Sequence, residues 1–267
     1  YRLPKGFTLS DYQNHCLEKI EKRFSKNNDI AAFIMESGAQ MAGGVIIYPK
    51  DFQKKIRELC KKYDILFVLD EIATGFGRLG SMVQYQDQKS IPDIVAYGKM
   101  LTGGYLTMAA TLANKKIYDS FSGEFNDWKH LFHGHTYTGN PIAAAVANEN
   151  LQMYKKYNLI KQVQKTSKIF EKYSQEILDI DIVGDVRHKG MLMGIELVSN
   201  KKKKTPIRTK KSINKVFFEE GKKQGIYLRT LGNIVMLVPP LSIQQNELEL
   251  LLKKTIKTIQ VAKSKTF

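Results

Sequence analysis

The sequence predicts an α/β fold, with an open and mainly parallel sheet followed by a smaller α+β unit. In the first half, short apolar runs alternate with amphipathic helical segments, which is typical of buried parallel strands. Glu36, Asp70 and Lys99 each lie at or just beyond the end of such a run. Ligands bind at that edge of an open parallel sheet. In the second half, strands and helices mix without regular alternation, which indicates an α+β arrangement.

Apolar spacing predicts the elements of the first half. Leu17, Ile20 and Phe24 recur at helical intervals among charged residues and predict a helix over residues 11–27. The other expected elements are strands at 31–35, 65–69, 94–97 and 108–112, a loop rich in Gly and Ala at 37–44, and a helix at 51–63. Asp51 is the expected N-cap of that helix, because its side-chain oxygens can accept hydrogen bonds from the first turn.

The second half opens with an alanine-rich helix at 141–157, for which Asn140 is the expected N-cap and Pro141 the first residue. The elements that follow are a helix at 159–178, strands at 183–186 and 191–198, a lysine-rich loop at 199–210, a helix at 211–224, strands at 226–229 and 234–238, and a helix at 247–263. We therefore expect two domains, formed by residues 1–145 and 146–267.

The composition is that of an ordinary globular chain, with 267 residues, of which 43% are hydrophobic and 25% charged. Two cysteines, Cys16 and Cys60, are too few for a disulfide framework and fit a reducing cytoplasm. No apolar run approaches the roughly 18 residues that a membrane span requires, and no signal peptide is visible. We therefore expect a cytoplasmic protein with no membrane partner.

The formal net charge is +16, from 42 Lys and Arg residues against 26 Asp and Glu residues. Two interpretations are open: a basic protein that binds nucleic acid, or lysine used throughout a solvated surface. The lysines are spread along the chain, arginine is scarcer, and no nucleic-acid-binding module accompanies them. We favour the second interpretation and expect no nucleic-acid partner.

Lys99 and Asp70 are the most informative pair in the sequence. Lys99 follows an apolar run within GKMLTGG (98–104), and Asp70 ends another within DEIATGFGRLG (70–80). A partly desolvated lysine amine can react with an aldehyde cofactor, and a strand-end carboxylate can keep a pyridine nitrogen protonated. Pyridoxal phosphate chemistry requires both groups. The alternatives are a helix cap or metal ligand for Asp70 and an ordinary surface lysine for Lys99.

The glycines at 75, 77 and 80 match the G-x-G-x-x-G pattern of dinucleotide-binding folds. We reject that interpretation, because two acids and an Ala-Thr pair separate the strand from the glycines. No helix is predicted directly after Gly80, and no strand-end acid follows at the required distance. The segment is instead expected to form a tight loop over the site, in which Arg78 has a structural role.

Two further segments contain candidate ligand-binding groups. HGHTYTGNP (133–141) combines Gly, Thr and Asn in front of a helix start, which suits a phosphate-binding loop. Together with His130, its histidines offer metal binding as the alternative, but no cysteine or paired acid lies at zinc spacing, and we expect no metal. Arg229 ends an expected strand. Its guanidinium is suited to binding a carboxylate, and a surface arginine is the alternative.

The three segments at 70–80, 98–104 and 133–141 resemble those of class III aminotransferases, which are pyridoxal-phosphate enzymes of fold type I. The resemblance implies that our first domain is part of the large cofactor-binding domain, and that the second is a connecting helix with the small domain. Within the family, the segments are most similar to the branch that converts 8-amino-7-oxononanoate to 7,8-diaminononanoate in biotin synthesis, with a donor such as S-adenosylmethionine. Another class III aminotransferase acting on an ω-amino acid or amine is the alternative.

The resemblance also implies how individual residues bind the cofactor. Lys99 would attach it covalently, contact the substrate and move protons. Asp70 would pair with the pyridine nitrogen, and Ile72 would pack on the ring. The phosphate would be bound by Thr136 and by the His135 backbone, across the interface of a homodimer with shared active sites.

Three more residues complete the expected site. Glu36 would support the acid at the end of the neighbouring strand, Gly134 would line the substrate pocket, and Arg229 would bind the carboxylate of the keto acid. Ala73 and Met236 stand where many family members have Gln and Arg. The absence of that Arg argues against ornithine-type donors.

Members of the family are considerably longer on the N-terminal side, where they carry a Gly-Ser phosphate loop and an aromatic residue that stacks on the cofactor. Residues 1–30 resemble neither feature. The resemblance therefore implies that this chain corresponds to the C-terminal part of such an enzyme, with small molecules as its substrates.

Overall fold

Four strands form the first sheet in a computed structural model that describes residues 3–207 and 212–266. Numbered in chain order, they lie as β1 (Ala32–Glu36), β4 (Leu66–Asp70), β5 (Ile94–Tyr97) and β6 (Ala110–Ala113). The first three are parallel, and β6 runs antiparallel to β5. All four expected strands are present, although the fourth begins slightly later than expected. The carboxyl ends of the parallel strands therefore meet at one edge of the sheet.

Four helices accompany this sheet: α1 (Leu9–Lys26), α2 (Phe52–Lys62), α3 (Gln84–Asp87) and α4 (Lys115–Ser120). The helices α1 and α2 are confirmed, whereas the two short helices lie where apolar spacing predicts none. Asp51 does precede α2, but its backbone is left-handed, with φ +62, and its side chain makes no capping bond. The expected cap is therefore wrong in its chemistry, because a capping side chain reaches the first turn from extended backbone.

Residues 37–47 contain a small hairpin rather than only the expected loop. β2 (Ala39–Gln40) pairs antiparallel with β3 (Ile46–Ile47). Gln53, which is fully buried on α2, accepts a hydrogen bond from Gly38 N at 2.8 Å and so fixes the base of the hairpin. Strands of two residues are too short to show the alternation from which strands are predicted.

Three helices connect the two sheets. α5 (Pro141–Lys156) is capped as expected by Asn140, whose Oδ1 accepts from the N–H groups of the first turn. The single helix expected next is instead two helices, α6 (Leu159–Thr166) and α7 (Lys168–Leu178). They divide at Ser167, whose carbonyl accepts a hydrogen bond from an N–H three residues later. The apolar spacing continues through this break, so it gives no sign of it.

The second sheet is mixed with helices, as expected of an α+β unit. The remaining elements are β7 (Val183–Lys189), β8 (Leu192–Asn200), β9 (Thr205–Pro206), α8 (Ile213–Lys223), β10 (Arg229–Leu231), β11 (Ile234–Leu237) and α9 (Gln245–Thr266). The strands of the second sheet lie in the order β10-β11-β8-β7, with β9 paired to β8. All of its strand pairs are antiparallel.

The strand expected at 226–229 is wrong. Ile226 N donates to Gly221 O as the chain leaves α8, and β10 begins only at Arg229. Residues 226–228 are irregular, and of these Leu228 is buried in the core while Tyr227 is 75% exposed. Lys210 and Lys211, which belong to the expected lysine-rich loop and helix, lie outside the described residues.

The two sheets and α9 share one hydrophobic core. Phe67 and Leu69 of β4, Met193 and Ile195 of β8, and Leu252 of α9 are all fully buried within it. Burial of each such side chain contributes roughly 1.5–3 kcal/mol relative to its exposure. Among the described residues, no helix is both long and apolar enough to cross a membrane. The continuous core gives the edge of the first sheet a fixed support.

The turn between β7 and β8 makes a close backbone contact with the glycine-rich segment. Gly190 has φ +54, and a Cβ there would lie 2.4 Å from the carbonyl carbon of Leu79 and 2.6 Å from Arg78 O. Met191 N donates a hydrogen bond to Arg78 O at 2.8 Å. Only glycine permits this approach, because a Cβ would overlap backbone atoms that have no rotamer to adopt.

Gly190→Ala should lower the free energy of unfolding by about 1–3 kcal/mol more than Gly232→Ala does, because overpacking adds to the backbone penalty. The control is matched, since Gly232 has φ +57 but has nothing within 4 Å of its added Cβ. Urea unfolding of both variants measures the difference. Equal losses would show that the close contact at Gly190 does not constrain the residue.

Candidate active site

The carboxyl ends of the parallel strands bring three expected site residues to one edge of the sheet. Glu36 lies opposite Asp70 in the pairing of β1 with β4, and Asp70 lies opposite Ala96 in the pairing of β4 with β5. Lys99 follows shortly after the end of β5. The edge at which the sequence predicts a site therefore carries two carboxylates and an amine.

Asp70, Ile72 and Lys99 lie at or just after the ends of β4 and β5, and we call these three residues the edge row. Ile72 N donates to Asp70 Oδ1 at 2.8 Å. The Ile72 side chain packs on Gly98, where a Cβ would lie only 3.2 Å from Ile72 Cγ2. Gly98 immediately precedes Lys99, so its lack of a side chain lets Ile72 approach the lysine backbone. The edge row thus places a carboxylate and an apolar side chain next to the backbone that carries Lys99.

Lys99 has a left-handed backbone, with φ +40. It opens a short 3-10 turn, Lys99–Leu101, which a hydrogen bond from Leu101 N to Gly98 O closes at 2.9 Å. Left-handed backbone costs an L-residue roughly 1–2 kcal/mol, and such strain concentrates at functional positions. The side chain of Lys99 is exposed in this chain, so the partial desolvation expected of it is not present here.

Glu36 shapes the hairpin beside the sheet edge. Its carboxylate accepts hydrogen bonds from Met41 N at 2.8 Å and from Ala42 N at 3.3 Å. Arg187 of β7 holds the other end of the same turn, where its Nε donates to Val45 O at 2.7 Å. The contacts of Glu36 are therefore with the turn rather than with the neighbouring acid.

Glu71 is a buried acid beside the site to which the sequence analysis assigned no role. Its carboxylate accepts hydrogen bonds from Gln84 N at 2.9 Å and Tyr85 N at 2.7 Å, at the start of α3. Burial raises the pKa of Glu71, and the two backbone N–H groups oppose that rise. The Asp70-Glu71 pair could have predicted this, because consecutive side chains at a strand end point to opposite faces of the sheet. If one acid lies at the site, the next one faces the other side.

Residues 75–80 form the tight loop that the sequence predicts. Arg78 N donates to Gly75 O and Gly80 N donates to Gly77 O, so the glycines fold back on themselves. The next helix, α3, begins only at Gln84, after the loop has ended. The rejection of a dinucleotide-binding motif is confirmed, because that motif requires a helix that opens on the glycines.

Arg78 has a structural role, as expected, and it contacts residues that are distant in sequence. Its Nη1 donates to Met191 O at 2.9 Å and to Pro239 O at 2.6 Å, both in the second unit. Its Nη2 lies 3.5 Å from the sulfur of Met100, in the turn that Lys99 opens. Burial lowers the pKa of this guanidinium to about 10, so it remains charged at neutral pH.

Gly134, His135 and Thr136 lie in a segment, residues 121–139, that is exposed throughout. Its hydrogen bonds are local, such as that from His135 N to Thr138 Oγ1 at 2.9 Å. In the part of the chain that the structure describes, no hydrogen bond or ion pair joins this segment to the edge row. The hydrogen bonds of the expected phosphate-binding residues therefore hold the segment itself and do not tie it to the edge row.

His130, in the same segment, belongs to an aromatic cluster. The His130 ring lies 4.0 Å from that of Phe132 and 5.9 Å from that of Trp128, measured between centroids. Across residues 3–207 and 212–266, no three His, Cys, Asp or Glu side chains meet in a way that could hold a metal ion.

Arg229 is exposed and opens β10, directly opposite Met236 of β11. Within the described ranges no hydrogen bond or ion pair connects it to the edge row. The pairing is informative, because it puts the expected carboxylate-binding arginine beside the position at which many relatives in the resembled family carry one. The apolar Met236 side chain occupies that second position.

Comparison with known proteins identifies one family. The model of the aminotransferase class-III family matches residues 2–259. This chain is 40% identical, over 232 residues, to the adenosylmethionine-8-amino-7-oxononanoate aminotransferase of Aquifex aeolicus, covering 87% of this chain and 51% of that protein. The chain spans about half the length of the curated relatives it matches.

Solved structures give the same fold. The adenosylmethionine-8-amino-7-oxononanoate aminotransferase of Methanocaldococcus jannaschii superposes with a TM-score of 0.87 at 38% identity, over 92% of this chain and 57% of that one. An omega transaminase from Pseudomonas jessenii, in complex with PMP, superposes with a TM-score of 0.92 at 28% identity, over 99% and 59% respectively. The expected fold is confirmed.

Arg78→Met should lower the free energy of unfolding by about 3 kcal/mol, because two buried carbonyl oxygens lose their donor and each such loss costs roughly 1–3 kcal/mol. Arg23→Met, in the exposed last turn of α1, is the control and should stay within about 0.5 kcal/mol of the parent. Chemical denaturation measures both. A loss at position 78 no larger than the control would refute the bridging role of the guanidinium.

Proposed function

This chain belongs to the class III aminotransferase family, and we propose that it supplies the reactive lysine of an aminotransferase that uses pyridoxal phosphate. In this proposal the enzyme converts 8-amino-7-oxononanoate to 7,8-diaminononanoate, with a donor such as S-adenosylmethionine. The observation that carries the proposal is the edge row, in which Ile72 donates to the Asp70 carboxylate and packs on Gly98, next to Lys99. The names of relatives at 40% and 41% identity support the substrate.

The chemistry of the edge row fits pyridoxal phosphate. When bound, the cofactor supplies an aldehyde that reacts with amines and a pyridine ring that withdraws electrons from the substrate. Asp70 is suited to the ring nitrogen, because the Ile72 N–H holds one of its oxygens in place. Ile72 offers an apolar surface for the ring, and Lys99 offers an exposed amine.

Two members of the edge row, Asp70 and Lys99, have tasks in the proposed reaction, and Glu36 supports them from outside the row. The Asp70 carboxylate keeps a proton on the ring nitrogen, and an ion pair of this kind is strengthened where water is excluded. The Lys99 amine accepts a proton from one substrate atom and returns it to another, as a general base and then a general acid. Glu36 contributes indirectly, since its carboxylate holds the turn at Met41 beside them.

We assign phosphate binding to Thr136 and the His135 backbone of a second copy of this chain. Phe125, Trp128 and Phe132, in the same segment, are 81%, 71% and 77% exposed. Exposed apolar patches of this kind mark interaction surfaces. A homodimer would cover the aromatic side chains and bring the phosphate-binding loop of one copy, with Gly134 at the substrate pocket, to the edge row of the other.

We assign the substrate carboxylate to Arg229. The keto acid carries a carboxylate at the end of a long aliphatic chain, so its recognition requires one cation and apolar surroundings. An exposed guanidinium opposite Met236 on the neighbouring strand meets both needs. Two carboxylates in one substrate would require a second cation, and methionine does not supply it.

A second candidate is an aminotransferase that acts on an ω-amino acid or amine. It is favoured by the higher TM-score of the Pseudomonas jessenii omega transaminase, 0.92 against 0.87. Sequence identity supports the first candidate, at 38% against 28%. We weight identity more heavily, because one fold supports many substrates and specificity depends on side chains at the site.

Incubation with pyridoxal phosphate and reduction with borohydride should attach a phosphopyridoxyl group to Lys99, as detected by mass spectrometry of peptides. Lys99→Ala should lose this adduct. Lys89→Ala should keep it, and this control is matched because Lys89 is also exposed and left-handed, with φ +51. Equal labelling of both lysines on folded protein would contradict the assignment.

The same protein, supplied with 8-amino-7-oxononanoate and S-adenosylmethionine, separates the two candidate functions. Formation of 7,8-diaminononanoate supports the first candidate. Amino transfer from ω-amines to small keto acids without that product supports the second. In either case Lys99→Ala should abolish turnover, because no other group of the edge row can act as the amine.

Replacing Phe125, Trp128 and Phe132 together by Ser should convert a dimer of this chain to a monomer in sedimentation velocity, since burial of their apolar area stabilises the association. Ile34→Ser is the control: Ile34 is 69% exposed on β1, away from the segment. A dimer that survives the triple substitution but not Ile34→Ser would place the interface at the sheet edge instead.

A further inference from the structure

The left-handed backbone of Lys99 requires an external restraint. A lysine at φ +40 carries a steric penalty that a free turn would relieve by rotating toward ordinary helical or extended backbone. The bond from Leu101 N to Gly98 O closes the turn but is a local contact with few tertiary restraints. Something beyond the turn must hold it, because strained residues persist only where the surroundings fix them.

Asn150 of α5 makes the contacts that meet this need. Its Nδ2 donates to Met100 O at 2.7 Å and to Leu101 O at 3.1 Å, so one amide group holds two successive carbonyls of the turn. Asn150 is half-buried, and these bonds span about fifty positions of sequence. The two peptide planes that Asn150 holds flank Leu101, and the first of them carries the Leu101 N–H that donates to Gly98 O. Asn150 therefore fixes one side of the turn, and the Leu101 bond connects it to the peptide plane before Lys99.

Space for the Asn150 amide is provided on the far side of the turn. A Cβ at Gly103 would lie 3.0 Å from Asn150 Oδ1, so a side chain at that position would press on the amide. Gly104 has no atom within 4 Å of its added Cβ, although its backbone is also left-handed. The room at Gly103 is thus specific to the Asn150 contact.

We propose that Asn150 is a positioning residue for Lys99, which holds the Met100 and Leu101 carbonyls so that the turn keeps its left-handed lysine and directs the amine to the sheet edge. The inference rests on the proposed function for the task of that amine. The role of Asn150 in holding the turn is independent of it. Asn150 lies on α5, outside the three segments that resemble the family.

The test compares Asn150→Asp and Asn150→Leu with the parent chain by amide hydrogen exchange. Neither variant can donate to the two carbonyls, and Asp keeps the size of Asn. The amide of Leu101 should exchange at least tenfold faster in both, while amides of β5 are unchanged. Asn148→Asp and Asn148→Leu, at an exposed position of the same helix, are the matched controls and should exchange as the parent does.

A second pair of variants covers the case in which the changes at Asn150 prevent folding. Gly103→Ala should speed exchange of the Leu101 amide more than Gly104→Ala, because only the first presses on the Asn150 side chain. Unchanged exchange at Leu101 in the folded variants, or equal acceleration throughout β5, would overturn the positioning role.

Borohydride trapping with pyridoxal phosphate, measured on the same variants, then connects the turn to the amine. The rate of labelling at Lys99 should fall severalfold in the Asn150 variants, with its pH profile displaced, and stay at the parent value in the Asn148 variants. A parent chain that labels no better at Lys99 than at Lys89 overturns the proposed function, while the exchange result still decides whether Asn150 holds the turn.

Discussion

The rest of the site depends on one buried cation, the guanidinium of Arg78. It lies within the glycine loop of the first unit, donates to Met191 O and Pro239 O of the second, and contacts the sulfur of Met100 beside Lys99. A buried charge without a carboxylate is expensive, and several polar contacts must offset that cost. The guanidinium can make all of these contacts only when the two units and the turn that begins at Lys99 are correctly placed around it. This couples the shape of the site to the docking of the two sheets.

The sheet of the first unit was predictable because its strands are apolar runs in sequence. Phe67 and Leu69 are fully buried on one face of β4, and the residue between them is apolar too, so no polar alternation interrupts the run. Two predictions, the strand at 226–229 and the single helix at 159–178, were wrong for a different reason. Their boundaries depend on single backbone bonds, from Ile226 to Gly221 and at Ser167, that leave the apolar pattern unchanged.

Of the candidate site, the sequence predicts the part that lies at the carboxyl edge of the first sheet. Asp70 and Lys99 were found because strand ends and glycines locate them in sequence, and topology then brought them to one edge. Glu71 and Asn150 were not, because each acts through backbone groups distant in sequence or on the other face of the strand. A side chain that bonds to backbone carbonyls or N–H groups can do so whatever the identity of the partner residue. Such a contact therefore produces no recognisable sequence motif.

Helix α5 supports the proposal that two chains build each site. The helix is capped by Asn140, directly after the expected phosphate loop, and holds the lysine turn through Asn150. A helix rises 1.5 Å per residue, so these two ends of the contact lie about 15 Å apart along a rigid rod. The exposed loop before α5 and the lysine turn therefore meet the helix at separate places, and no hydrogen bond or ion pair joins them among the described residues. In the proposed dimer, that exposed loop would serve the lysine of the other chain.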